Sequence, residues 1–210
     1  MDEPAWHSYA DFTGFLNRLG GELPGMRYDL SVAGRVIPRL FPGRFAPAVV
    51  VAGTNGKGTV CWWLSRVFQA AGYRTALYTS PHLLDEAERI RLNGVPADTE
   101  TILRHAGIAR EAVAAESNAL SRSPTYYEWW TFVAASLFRE ARADIHLLEV
   151  GLGGRFDAVN VAEPILSVVA VACQDQWRIP GDTVEALARE KMGILQAAPP
   201  AHLGPEGASH

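Results

Sequence analysis

Cysteine is scarce in this chain: Cys61 and Cys173 are the only two in 210 residues, and both lie in apolar runs. A scaffold held by several disulfides is excluded. Buried thiols of a reducing cytoplasm are expected in place of a bridge. Long hydrophobic runs are lacking as well, since no apolar stretch approaches the roughly 20 residues of a membrane span. The start, MDEPAWHSYADF, is acidic and polar and reads as no signal peptide. Nor is there a surplus of positive charge: 19 Lys and Arg against 23 Asp and Glu give a net charge of −4. Neither a nucleic-acid nor a membrane partner is expected, and an anionic ligand must be met by local cations. With no internal repeat, 48% hydrophobic and 20% charged residues, the length suits one α/β domain with a full core.

The stretch Val49–Thr59, VVVAGTNGKGT, organises what is present. Val49, Val50 and Val51 read as a buried strand. Gly53, Thr54, Asn55, Gly56, Lys57, Gly58 and Thr59 follow as a glycine-rich loop. A helix comes next, with Val60, Cys61, Leu64, Val67, Phe68 and Ala71 at helical spacing and Trp62, Ser65, Arg66 and Gln69 on the other side. Strand, glycine loop and helix are what a phosphate site needs. Backbone N–H groups approach the oxyanion and the helix start adds partial positive charge. Lys57 can reach outer phosphates, and Thr59 can hold a magnesium ion. The pattern departs from GxxxxGK[ST], because Gly58 separates Lys57 from the hydroxyl.

Other segments follow the same α/β logic. Phe12, Phe15, Leu16 and Leu19 predict a helix ended by Gly20-Gly21, and Leu30–Leu40 a second one. Thr75–Thr79, Asp144–Val150 and Pro164–Ala172 predict strands, with Gly72 as a helix cap before the first of them. Residues 99–118 read as a helical cover. Ser123 and Pro124 are expected as N-cap and first position of a helix apolar almost all round, where Glu128 needs a partner. Glu149 ends its strand where a magnesium ligand facing a phosphate loop belongs. The tail from 197 is small, proline- and glycine-rich, and is expected to be disordered.

Four stretches together carry a resemblance: GTNGKGT, then TSPHL with ERIRLNG (79–94), then EVGLGGRFDAVN (149–160), then GDT with REKMGI (181–194). In this order and spacing they are similar to folylpolyglutamate synthase and dihydrofolate synthase of the Mur ligase superfamily. The resemblance runs from about Val49 to Leu195 and covers the N-terminal part of the family's length. It implies a helical lead-in over 1–46, a partial ATP-binding domain over 47–196 and a tail over 197–210. The fold class expected is α/β, a parallel sheet with helices on both faces and the phosphate loop after its first strand.

The resemblance further implies ATP and Mg2+ as cofactors. Substrates would be dihydropteroate or a folate, with glutamate, in a cytoplasmic monomer. Their carboxylate would pass through an acyl phosphate to an amide. Lys57 and Lys191 would be catalytic, Lys191 matching a lysine that is carbamylated in the family. Residues Gly53 to Thr59 would bind nucleotide. Thr59, Ser80, Glu149 and Gln176 would serve the metal, and Ser80, Pro81, His82, Asp157 and Ala158 the acid substrate. Two departures are marked: Val159 stands for the family's threonine, and Gln176 for its metal-binding histidine. A glutamine carbonyl coordinates magnesium more weakly. Two rivals stay open, a catalytically inactive or incomplete nucleotide- or folate-binding fragment and a small-molecule kinase.

Overall fold

The computed structural model describes residues 5–21, 29–43, 46–171, 189, 191–195 and, as backbone, 201–203. The expectations for Cys173, Gln176 and the GDT stretch lie outside these residues, as does most of the 23–29 loop.

Valine-rich β1 (Ala48–Ala52) is buried at every position, as the run predicts for a strand covered on both faces. It pairs in parallel with β5 (Ile145–Glu149) on one side and β6 (Pro164–Val169) on the other. Beyond β5 comes β2 (Thr75–Tyr78), also parallel. The edge departs from the expected all-parallel sheet. There β3 (Ile90–Leu92) runs antiparallel to β2, and β4 (Val95–Pro96) antiparallel to β3. The turn Asn93-Gly94 explains this: both residues have positive φ, which suits a tight reversal. The strand order is β4-β3-β2-β5-β1-β6-β7.

The last strand, β7 (Ala201–Leu203), corrects the expectation of a disordered tail at those three residues. It pairs in parallel with Ser167–Val169 of β6. A polar, proline-rich composition does not show that a bare sheet edge lies within reach, and such an edge offers a row of unpaired backbone groups.

Alternation on β1 divides the interior. Ala48, Val50 and Ala52 face one core, built with α1 (Tyr9–Arg18), α2 (Ala33–Leu40), α4 (Thr99–Glu116) and α5 (Tyr126–Ala141). Val49 and Val51 face the other, covered by α3 (Lys57–Ala70). Helices therefore lie on both faces, as expected. The lead-in helices share the first core. Trp6 packs edge-on against Trp129 with ring centroids 5.4 Å apart, and Phe12 against Trp130 at the same separation.

Two local readings are corrected. The N-cap of α5 is Thr125, two residues past Ser123, and it forms a capping box with Glu128. Glu128 finds its partner in Arg122, whose Nη1 and Nη2 donate to Oε2 and Oε1 at 2.7 and 3.0 Å. On α3 the buried stripe is rotated from the expected one. Ser65 is fully buried and donates to the Trp62 carbonyl at 2.8 Å, so its hydroxyl is satisfied inside. Val67 and Trp63 are instead 61% and 64% exposed. Small Ser65 lets the helix lie close on the sheet, a gain that hydrophobic periodicity does not register.

His146 on β5 is buried beside Phe41 and Phe138, and that burial pushes its pKa down to about 4. The unfolded imidazole takes a proton near pH 6.5 while the folded one resists until about pH 4. Stability is therefore lost as pH falls through this window. In urea unfolding at pH 7 and 4.5, His146→Phe is expected to lose about 2.5 kcal/mol less than the wild type over that interval. Equal losses in both proteins would sink this account of His146.

Candidate functional site

Where β1 ends, the chain turns through Gly53, where a Cβ would stand 3.1 Å from Ala170 Cβ and from the Val171 carbonyl oxygen, and Thr54 N–H donates to that carbonyl. Gly56, with φ of 80°, is the N-cap of α3, a left-handed conformation that glycine adopts without penalty. No side chain caps α3 and its first turn carries no acid, so the helix start is open to an anion. Lys57 Nζ reaches back to the Thr54 carbonyl at 3.4 Å.

The extra glycine now has a reason. A Cβ on Gly58 would stand 3.0 Å from Glu149 Oε2 and 3.4 Å from Oε1. The carboxylate at the end of β5 lies against the backbone of the first turn of α3, and any side chain at 58 would push it away. Glu149 is 5% exposed, and its Oε2 accepts the Ser80 N–H at 3.0 Å. Ser80 follows β2, the neighbour of β5, and its peptide bond to Pro81 is cis. Its Oγ is buried with no hydrogen-bond partner among the described residues.

A cleft of about 560 Å³ joins these parts. Thr54–Thr59, Ser80, Pro81, His82 and Glu149 all line it. Gly53 lies just beneath, buried. Asp157, Ala158 and Lys191 lie outside this lining. Asp157 is buried behind it and organises backbone: Oδ2 accepts from Gly151 and Leu152 N–H at 2.8 and 3.4 Å, Oδ1 from Val159 N–H at 2.9 Å. Burial pushes its pKa up to about 7, against the pull of these donors. Ala158 borders a small apolar void of about 20 Å³ with Tyr78 and Thr131. Lys191 is buried, 2% exposed.

Hard oxygen donors at Thr59, Ser80 and Glu149 fit a magnesium ion that keeps water and phosphate oxygens as its other ligands. The partnerless Ser80 Oγ beside an inward carboxylate is the observation that supports the fit. Among the described residues no three His, Cys, Asp or Glu side chains gather as an all-protein cage.

Sequence reasoning passed over two side chains here. Tyr127 reads as one more ring of the nearly all-apolar helix, yet its hydroxyl accepts the Gly151 N–H at 3.1 Å and stands 3.2 Å from both the Glu149 carbonyl and Asp157 Oδ1. Its one proton serves one of those two acceptors. Its ring fills the place of a side chain at Gly151, where a Cβ would come within 2.6 Å. A buried Tyr where Phe would pack equally well was the available signal. Arg89 is buried under the loop, its guanidinium over the rings of Tyr126 and Trp130, and its Nε donates to His82 Nδ1 at 3.1 Å. An accepting Nδ1 leaves the proton of the neutral ring on Nε2.

Fold and cleft define an α/β domain with a phosphate-type glycine loop between its first strand and α3. No protein-family model matches the chain. Curated proteins do. Dihydrofolate synthase/folylpolyglutamate synthase of Escherichia coli (strain K12) is 40% identical over 160 residues, 76% of this chain and 36% of that protein. Folylpolyglutamate synthase of Arabidopsis thaliana is 38% identical over 157 residues, 74% of this chain and 28% of that protein. The solved structure of E. coli FolC in complex with DHPP and ADP matches with a TM-score of 0.84 at 31% identity, covering 98% of this chain and 49% of that one. A bifunctional folylpolyglutamate synthase/dihydrofolate synthase with Mn, AMPPNP and L-glutamate bound matches at 0.82 and 30%, with 99% and 50% covered. The chain is thus homologous to the folylpolyglutamate and dihydrofolate synthases, and it spans between about a quarter and half the length of these relatives.

Gly58→Ala isolates the contact with Glu149. Gly58 does not have positive φ, and Ala is favoured in helices by about 1 kcal/mol. The melting temperature should hold within a few degrees. Magnesium-nucleotide affinity, read by calorimetry, should fall at least about tenfold, or ~1.4 kcal/mol, as the new methyl displaces the carboxylate.

Proposed function

We propose that this cleft binds ATP with a divalent cation and serves ATP-dependent amide-bond formation between a pteroate or folate carboxylate and glutamate. The observation that carries the reading is the meeting of three motifs from distant parts of the chain in one cleft. The phosphate loop, Ser80 and Glu149 come from the ends of β1, β2 and β5, three neighbouring strands. Ligands of α/β sheets bind at such strand ends.

In this reading the open first turn of α3 and the backbone of Gly53–Thr59 hold the phosphates, and Lys57 offsets charge on the outer ones. Thr59, Ser80 and Glu149 would hold the cation, which when bound supplies charge neutralisation on the phosphates. An oxygen of the substrate carboxylate attacks the γ-phosphorus and the bond to ADP breaks. The amine nitrogen of glutamate then attacks the acyl carbon, phosphate departs with the bonding pair, and the amine gives up a proton. Pro81 and His82 stand on the wall where the acid would approach, His82 presenting Nε2–H. Asp157 and Ala158 would act from behind, by fixing the 151–159 loop. Roles for Lys191 and Gln176 as magnesium-serving groups are kept as part of the proposal. The protein would work as a cytoplasmic monomer.

A second reading is favoured by the share of its relatives that the chain spans: nucleotide or folate binding without turnover. One experiment separates the two. MgATP binding is measured by calorimetry, then ADP release with dihydropteroate, with and without glutamate. The ligase reading expects saturable binding, weakened about ten- to a hundredfold in Lys57→Ala, and glutamate-dependent ADP release. Binding without such release selects the second reading. No MgATP binding by the folded protein overturns the ligase reading and the nucleotide half of the second, leaving folate binding alone.

A further inference from the structure

The cleft continues past the phosphate loop, and the reading above leaves its far wall unused. Arg91 stands there on β3, in register with Leu77 of β2, which pairs with Leu147 of β5, which pairs with Val49 of β1. Directly paired residues share a face. Arg91 therefore ends a row of three apolar side chains on the face that α3 covers.

A cation in that row calls for a partner, and the structure supplies a weak one. The Arg91 side chain is 21% exposed, and its ion-pair contact with Glu88 is 4.0 Å long. The Glu88 carboxylate is already taken up by the N–H groups of Leu83, Leu84 and Asp85. The Arg91 guanidinium lies 5.5 Å from the centre of the Trp62 ring, and no acceptor among the described residues hydrogen-bonds it. Arg66, the other guanidinium near that ring at 5.9 Å, differs: it donates to Gln69 Oε1 at 2.7 Å and rests against Gly94. Trp62 is thus braced from the helix, and Arg91 keeps its donors for the cleft that it lines with Trp62 and His82.

The position also sets apart what Arg91 can reach. Two strands, β5 and β2, separate β1 from β3. At ~4.8 Å per spacing, roughly 14 Å lies between the strand of the phosphate loop and the strand of Arg91. The strand that carries Arg91 is thus set off from the strand that carries the loop, while the guanidinium and the loop line one cleft. A planar, five-donor fork matches a carboxylate in two-point contact.

We propose that Arg91, stacked on Trp62, binds a ligand carboxylate at a subsite separate from the phosphate loop. The carboxylate is that of the amino acid or of the acid substrate. The choice of these two ligands rests on the ligase reading; the subsite itself rests on the geometry.

The test titrates L-glutamate and dihydropteroate separately, each with and without MgATP, into the wild type, Arg91→Gln, Arg91→Lys and Trp62→Leu. Arg91→Gln should weaken one of the two carboxylates about ten- to a hundredfold, while MgATP affinity stays within about twofold. The ligand that responds identifies the source of the carboxylate. Trp62→Leu should weaken the same ligand, and Arg91→Lys should recover only part of the loss, because the charge returns without the fork. Should Arg91→Gln fail to fold by circular dichroism, Arg91→Lys and Trp62→Leu carry the test. The proposal is overturned if the wild type binds neither carboxylate, if the variants bind both as the wild type does, or if MgATP weakens in step with the carboxylate. Arg91-dependent carboxylate binding without any MgATP binding supports the subsite and overturns the ligase reading instead.

Discussion

A single carboxylate sets the geometry of this cleft. Glu149 leaves the end of β5 and lies against the start of α3, close enough that residue 58 must lack a side chain. The Ser80 N–H fixes its Oε2, so the end of β2 is tied to the end of β5 through a side chain as well as through the sheet. From the rear, Tyr127 and Asp157 hold the chain that leaves the same strand, by way of the Gly151 N–H. A buried charge is tolerable only where dipoles or counter-charges meet it. Here the Ser80 N–H does so, and the start of α3 beside the carboxylate adds its partial positive charge.

That arrangement depends in turn on the aromatic layer of α5. Tyr127 reaches the site because Trp129, Trp130 and Phe132 anchor the helix in the larger core, together with Trp6, Phe12 and Phe15 from the lead-in. Arg89 uses the same layer from the other side. Its guanidinium rests over Tyr126 and Trp130 and positions His82 in the cleft wall. The lead-in helices are therefore not an appendage. They fill the core from which the site residues are held, and losing them would loosen the cleft without touching a residue that lines it.

Much of this was legible in the sequence because the signals were local. The valine run, the glycine loop and the acid at the end of DIHLLEV each announce a strand or its end, and the structure brings loop, Ser80 and Glu149 into one cleft. What was not legible depended on partners far along the chain. Gly58 reads as a departure from a loop pattern until the Glu149 carboxylate appears beside it. Trp62 reads as the polar side of α3 until β3 places Arg91 over its ring. Ser123 reads as an N-cap until Arg122 pairs with Glu128 and Thr125 caps the helix instead. Asp157 sits in a motif whose acid suggests a ligand-facing role, and the backbone N–H groups that its oxygens accept are seen only in the fold.

The charge balance of the cleft carries the argument one step further. Lys57 and Arg91 are its lining cations, and Glu149 and Glu88 its lining carboxylates. Backbone N–H groups occupy Glu88, so Arg91 is nearly uncompensated at one end of the cleft while Glu149 and Lys57 share the other. A bare polyphosphate at the loop would bring several negative charges toward the one on Glu149. Lys57 alone cannot balance that repulsion in a partly dehydrated site. A divalent cation between them converts the same carboxylate from an obstacle into a ligand. In the proposed reading nucleotide and metal would thus bind as one unit for a physical reason, and the place kept open at Gly58 is what would let Glu149 serve both.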